Sequence, residues 1–202
     1  MTATSMLSSP WPIGCWNSTR STRLHTGSAS PPWRDAVPNG KPPRPVIAPG
    51  SGDHVHFLNH LATIKVRAGH DGALSVVEFT APRGLGPPLH QHRDEDELFI
   101  VLDGEVAFHS GDERIMAGPG ASAFLPHGLP HTFQVQADTA RFVCVTASRR
   151  SGPRFDQMVT ALGIPTATPE LPEPGPIDPE RVAQVCAEHG IEVLGPPPSP
   201  LD

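Results

Sequence analysis

The stretch GLGPPLHQHRDEDELFIVLDG, residues 84–104, decides the fold. It places His90 and His92 one residue apart. Alternate residues of a strand point to the same face, so both imidazoles enter one space. Glu97 then opens the run ELFIVL, and a bend between neighbouring strands brings its carboxylate alongside the histidines. Asp103-Gly104 closes the run with a two-residue hairpin signal. A second stretch, GASAFLPHGLPH, covers residues 120–131. Pro126 and Gly128 predict a tight turn that presents His131 on the strand after it. Three imidazoles and one carboxylate suit iron, manganese, nickel, cobalt or zinc. Such a set leaves coordination positions open for water, dioxygen or a substrate oxygen.

Outward from these stretches the chain reads as short β-type runs. Residues 62–67, 74–79, 105–110, 114–116, 121–125, 131–136 and 141–146 join 97–102, with Gly111-Asp112 marking another turn. Eight or so short strands at this spacing predict an all-β barrel or jelly roll. Phe99, Val101, Val106, Phe108, Phe124, Phe133, Phe142 and Val145 are its core candidates. Two helices are expected after it. Phe155, Met158, Val159 and Leu162 form one apolar stripe closed by Gly163. Asp178-Pro179-Glu180 starts the second helix as N-cap and first turn, Val182, Val185, Cys186 and His189 share its face, and Gly190 stops it. Both are expected to pack against the outside of the barrel.

Of 26 prolines, 18 lie in residues 1–45 and 163–202, where central strands are thereby disfavoured. Three parts follow: a disordered Ser/Pro-rich arm at 1–45, a barrel at 46–150 and a helical, Pro-rich extension at 151–202 packing on it. The net charge of −6 excludes a phosphate-binding surface as the default, so no nucleic-acid partner is expected. No apolar run approaches the roughly 20 residues a membrane helix needs. Cys15, Cys144 and Cys186 are three in number and widely spaced, which points away from a disulfide framework and towards the cytoplasm.

The two stretches resemble the paired motifs of the cupin superfamily, G-x5-H-x-H-x(3,4)-E-x6-G and G-x5-P-x-G-x2-H-x3-N. The first is met at Gly84, His90, His92, Glu97 and Gly104. The second is met at Gly120, Pro126, Gly128 and His131, and departs only where Val135 stands for Asn. Residues 50–198 resemble single-domain bacterial cupins related to quercetin 2,3-dioxygenases. The resemblance implies a cupin jelly-roll barrel with short C-terminal helices and one divalent metal on His90, His92, Glu97 and His131. It also implies a homodimer and a dioxygenase acting on an aromatic or enol small molecule. Glu97 is then the catalytic base, with its basicity raised by an apolar pocket. A non-catalytic binding cupin, an isomerase or a decarboxylase is the alternative.

Other residues receive plainer readings. His54, His56 and His60 are expected on a polar strand edge, and His127 on an exposed turn. Asp94 and Glu95 are expected in solvent. Asp96 is the candidate for orienting a ligand histidine. His109 points opposite to Phe108, and Cys144 is buried and inert.

Overall fold

A computed structural model of the chain describes residues 46–69, 72–148, 150 and 152–200. The expected arm, residues 1–45, lies outside these. The described strands begin with β1 (Asp53–Phe57), β2 (His60–Val66), β3 (Leu74–Pro82), β4 (His90–His92), β5 (Glu95–Asp103) and β6 (Val106–Ser110). They continue with β7 (Glu113–Ala117), β8 (Ser122–Leu125), β9 (His131–Val135) and β10 (Thr139–Ser148). Helix α1 (Phe155–Leu162), β11 (Ile164–Pro165), helix α2 (Pro179–Glu188) and β12 (Ile191–Val193) complete the order. No helix among the described residues is long and apolar enough to cross a membrane.

All pairings are antiparallel and form two sheets, β11-β1-β2-β3-β10-β5-β8 and β12-β4-β9-β6-β7. The sheets face each other as a jelly roll. Strict alternation sets the inner face: Ser75, Val77, Phe79 and Ala81 of β3, and Glu95, Glu97, Phe99 and Val101 of β5, are buried. Phe99 and Phe142 of the larger sheet meet Phe133 of the smaller edge-on, at ring-centroid distances of 5.6 and 5.2 Å. The buried Ser75 and Thr146 hydroxyls satisfy each other at 2.6 Å. Val135 is fully buried in this core.

Several sequence expectations are corrected. Asp103-Gly104 is not a hairpin, because β5 and β6 belong to different sheets. The chain turns a corner there, with Gly104 at φ 76° and so placed that a β-carbon would clash with the backbone of Thr139 and Ala140. Gly111-Asp112 does close a hairpin, β6–β7, with the glycine first and at φ 58° as a type II′ turn requires. Phe124 is 62% exposed, because β8 is an edge strand and only its alternate residues face inward. Val145 is half-buried for the same reason of alternation.

The helices form where expected. The Asp178 carboxylate accepts from the backbone N–H groups of Glu180 and Arg181 at 3.0 and 3.2 Å. Gly163 ends α1 in extended rather than left-handed backbone; a β-carbon there would lie 2.1 Å from Val55 Cγ1. The segment after residue 150 does more than pack outside the barrel. It contributes β11 to the larger sheet and β12 to the smaller.

Gly104→Ala is expected to cost about 2–4 kcal/mol, from the left-handed backbone together with the clash. Gly120→Ala, at φ 86° but in open space, should cost only the backbone share of about 1–2 kcal/mol. Urea unfolding of the two variants measures the difference; equal losses would refute the role given to the close approach at Gly104.

Candidate metal centre

The centre spans both sheets. Glu97 comes from β5 of the larger sheet, and His90, His92 and His131 come from β4 and β9 of the smaller. His90 pairs directly with His131 across β4–β9. Pro126 and Gly128 shape the turn before β9: Leu129 N–H donates to Pro126 O at 3.2 Å, and Gly128 N–H donates to His92 O at 2.7 Å. That second bond ties the turn to the histidine strand. On the other side β4 is held by β12, with Ile191 opposite His92 and Val193 opposite His90. His92, Glu97 and His131 are buried and His90 is half-buried. One ligand atom from each of the four lies within 4.8 Å of the others.

Each histidine is fixed from behind. The Nδ1–H of His90 donates to Pro88 O and that of His131 to Leu129 O, both at 2.8 Å. His92 Nδ1–H donates to Glu95 Oε2 at 3.0 Å. These bonds select the tautomer that frees Nε2 for a metal. His131 Nε2 lies 2.8 Å from Glu97 Oε2. His92 Nε2 lies 3.3 Å from the same oxygen, but without hydrogen-bond geometry, so it is a buried nitrogen with no hydrogen-bond partner. A buried, orphaned nitrogen beside two more imidazoles and a carboxylate fits a divalent transition metal by donor type.

Electrostatics agree with a ligand role. Burial, then the neighbouring His131, lowers the His90 pKa to about 4, so this ring is neutral at pH 7. Burial would raise the Glu97 pKa, but His92 and the His131 hydrogen bond outweigh it and hold the carboxyl at about 2. The expected rise in Glu97 basicity is therefore reversed, because the pocket wall behind it is made of imidazoles rather than hydrocarbon. Burial and the Glu97 carboxylate raise the Cys144 pKa well above the ordinary thiol value. The thiol is unreactive but has a contact: Sγ–H donates to Glu97 Oε1 at 3.4 Å.

The supporting residues differ from expectation. Glu95, not Asp96, orients a ligand histidine. It is 5% exposed and shares the inward face of β5 with Glu97. Its other oxygen accepts from the backbone N–H of Arg154, at the start of α1. Asp96 faces the other way and accepts from the His127 backbone N–H at 3.0 Å and its ring at 2.6 Å. His127 is exposed, as expected. His54 bonds Thr63 and His56 bonds the Glu170 carbonyl. His60, expected on a polar edge, is instead buried. His109 lies on the side of β6 opposite Phe108 and away from the centre.

His90 and Glu97 open into a cavity of about 530 Å³. Its walls are apolar: Phe57, Phe79, Phe99 and Phe133 from the sheets, and Phe155 and Met158 from α1. Helix α2 and β12 add Val182, Cys186, Ile191 and Val193. Besides packing on β1 and β3, α1 together with α2 builds one side of the cavity.

Comparison with known proteins gives the following. Residues 76–146, which enclose all four ligand candidates, match the family described as the cupin domain. Over 112 residues the chain is 30% identical to quercetin 2,3-dioxygenase of Bacillus subtilis (strain 168), covering 55% of this chain and 33% of that protein. The match thus spans a third of that relative's length. Among solved structures, a predicted oxalate decarboxylase from Thermotoga maritima is similar at TM-score 0.48 and 19% identity, over 51% of this chain and 98% of that one. KdgF from Halomonas sp. is similar at TM-score 0.41 and 22% identity, over 46% and 82%.

Glu95→Gln removes the charge behind His92, and metal affinity is expected to fall about 10–100-fold. Asp96→Asn should leave it within about twofold, since its contacts lie outside the centre. Metal titration against a competing chelator reads both; the reverse order would show that Asp96 is the orienting group.

Proposed function

We propose that the chain, whose residues 76–146 match the cupin domain, is a metal-dependent dioxygenase of an aromatic or enol small molecule. One observation carries the reading: a cluster of three histidines and a glutamate opens into an otherwise apolar cavity wide enough for a multi-ring ligand. The partial likeness to a quercetin 2,3-dioxygenase supports the choice of reaction class.

His90, His92, Glu97 and His131 would hold one divalent metal. When bound, the metal would act as a Lewis acid towards an enol or hydroxyl oxygen of the substrate. The chain's own residues supply the rest. Glu97 is ionised and lines the cavity, and although its basicity is low, it can take the hydroxyl proton of an incoming enol that a bound metal would acidify. Cys144 Sγ–H donates to its Oε1, which leaves Oε2 turned towards the histidines. The aromatic and aliphatic walls exclude water and present flat surfaces to a planar ligand. The resulting electron-rich enolate reacts with dioxygen, which serves as the oxidant and leaves both its atoms in the cleaved products.

Metal-reconstituted protein is expected to consume dioxygen with at least one member of a panel of flavonols, β-diketones and enols. Glu97→Gln should slow that turnover by about 10²–10⁴-fold. Oxygen-electrode measurements over the common divalent metals check both points. Absence of uptake with every metal and substrate would leave a binding protein, or an isomerase or decarboxylase. Full metal occupancy in a Glu97→Ala, His131→Ala double variant would overturn the ligand assignment itself.

A further inference from the structure

The cavity has a polar group that the metal centre does not use. Among its lining residues, the ionisable nitrogen and oxygen groups are His60, His90 and Glu97. His90 and Glu97 belong to the centre. His60 does not: it begins β2, at the far end of a run of ring contacts through Phe155 and Phe79. Centroid distances run 6.1 Å from His92 to Phe155, 6.2 Å from Phe155 to Phe79 and 6.3 Å from Phe79 to His60.

The His60 ring is held in one orientation. Its Nδ1–H donates to the carbonyls of Phe57 and Leu58, at 3.1 and 2.8 Å. Those carbonyls belong to the two-residue β1–β2 turn, in which Leu58 and Asn59 both have positive φ, 47° and 67°. Asn59 locks the turn in place through two bonds to Gly175, each 3.0 Å. With Nδ1–H committed, Nε2 carries a lone pair. No group among the described residues hydrogen-bonds it, although the side chain is 7% exposed and sits in the cavity wall. Burial lowers the His60 pKa, which keeps the ring neutral and Nε2 an acceptor. An acceptor without a partner in an otherwise apolar cavity wall is satisfied when a donor arrives with the ligand.

We propose that His60 Nε2 accepts a hydrogen bond from a hydroxyl at the end of the ligand remote from the metal centre, making His60 a specificity-determining residue. The inference rests on the reading of the cavity as a substrate site and narrows its substrate class. The preferred ligand is a planar aromatic molecule with an enol oxygen at one end and a hydroxyl at the other. Phe79 and Phe155 flank the span between the two polar contacts.

The test is binding without turnover, measured anaerobically on the full metal-loaded chain with 3-hydroxyflavone and its 4′-hydroxy derivative. Wild type is expected to bind the hydroxylated probe about tenfold more tightly, the discrimination a single hydrogen bond supplies. His60→Asn keeps a donor for the turn carbonyls and, being shorter, places no acceptor where Nε2 stands; it should bind the two probes equally and bind 3-hydroxyflavone as wild type does. Retained preference in His60→Asn, or none in wild type, overturns the inference and leaves the proposed function standing. Failure of wild type to bind either probe overturns the flavonol reading of the cavity and this inference with it. Should His60→Asn not fold, nitrogen NMR of wild type labelled at histidine gives the answer. The unprotonated His60 nitrogen should shift on adding the hydroxylated probe and not the parent, and an unmoved signal refutes the proposal.

Discussion

A buried carboxylate on one sheet, facing three imidazoles on the other, is the constraint on which the structure turns. An ionised carboxylate stripped of water costs several kcal/mol unless it is paired. Glu97 is 1% exposed and stays charged, so β4 and β9 must come within reach of β5. This fixes how the two sheets sit across their shared interior. The contacts around it follow: Cys144 on one carboxylate oxygen, His131 on the other, and Glu95 behind His92. The aromatic core of Phe99, Phe133 and Phe142 fills the space beneath, where no polar group needs a partner.

The segment after residue 150 completes what the barrel leaves open. Strand β12 covers the free edge of β4. Arg154 and Glu95 connect the start of α1 to the support of His92. The inner stripes of α1 and α2, which on a bare barrel would bury themselves against the outside of a sheet, instead wall a cavity. The same apolar residues therefore stabilise the fold and define the cavity surface. In such a wall a change that improves packing also changes the space left for a ligand.

Much of this was legible in the sequence, and the failures have physical causes. Alternation found the principal strands because one face of each is buried. The two motifs located all four members of the centre, since same-face spacing and a Pro-Gly turn are local properties. Glu95 was misread because a run of acidic residues looks solvated. Strand pleating alone sends Glu95 inward with Glu97 and Asp96 outward. Asp103-Gly104 has hairpin chemistry, yet the partner strand lies elsewhere in the chain, and only topology shows that Gly104 turns a corner. His60 looked like an edge residue because a histidine-rich run is polar on paper. Its burial depends on Phe57 and Phe79 and on carbonyls exposed by an unusual turn. The role of the helices was missed because a periodic stripe shows that a face is buried, not whether it meets a sheet or a cavity.

The pairing of β4 with β12 has a consequence for the order of events during synthesis. His92 and Ile191 face each other across the ladder although about one hundred residues of chain separate them. While a ribosome is still making that interval, the histidine strand has β9 on one side and an unsatisfied edge on the other. A nascent chain thus carries the histidine–glutamate cluster before it carries its cover. In that window the exposed edge can recruit another strand, or a mismatched ion can reach imidazoles not yet fixed in place. Closing the ladder is therefore a late step in synthesis.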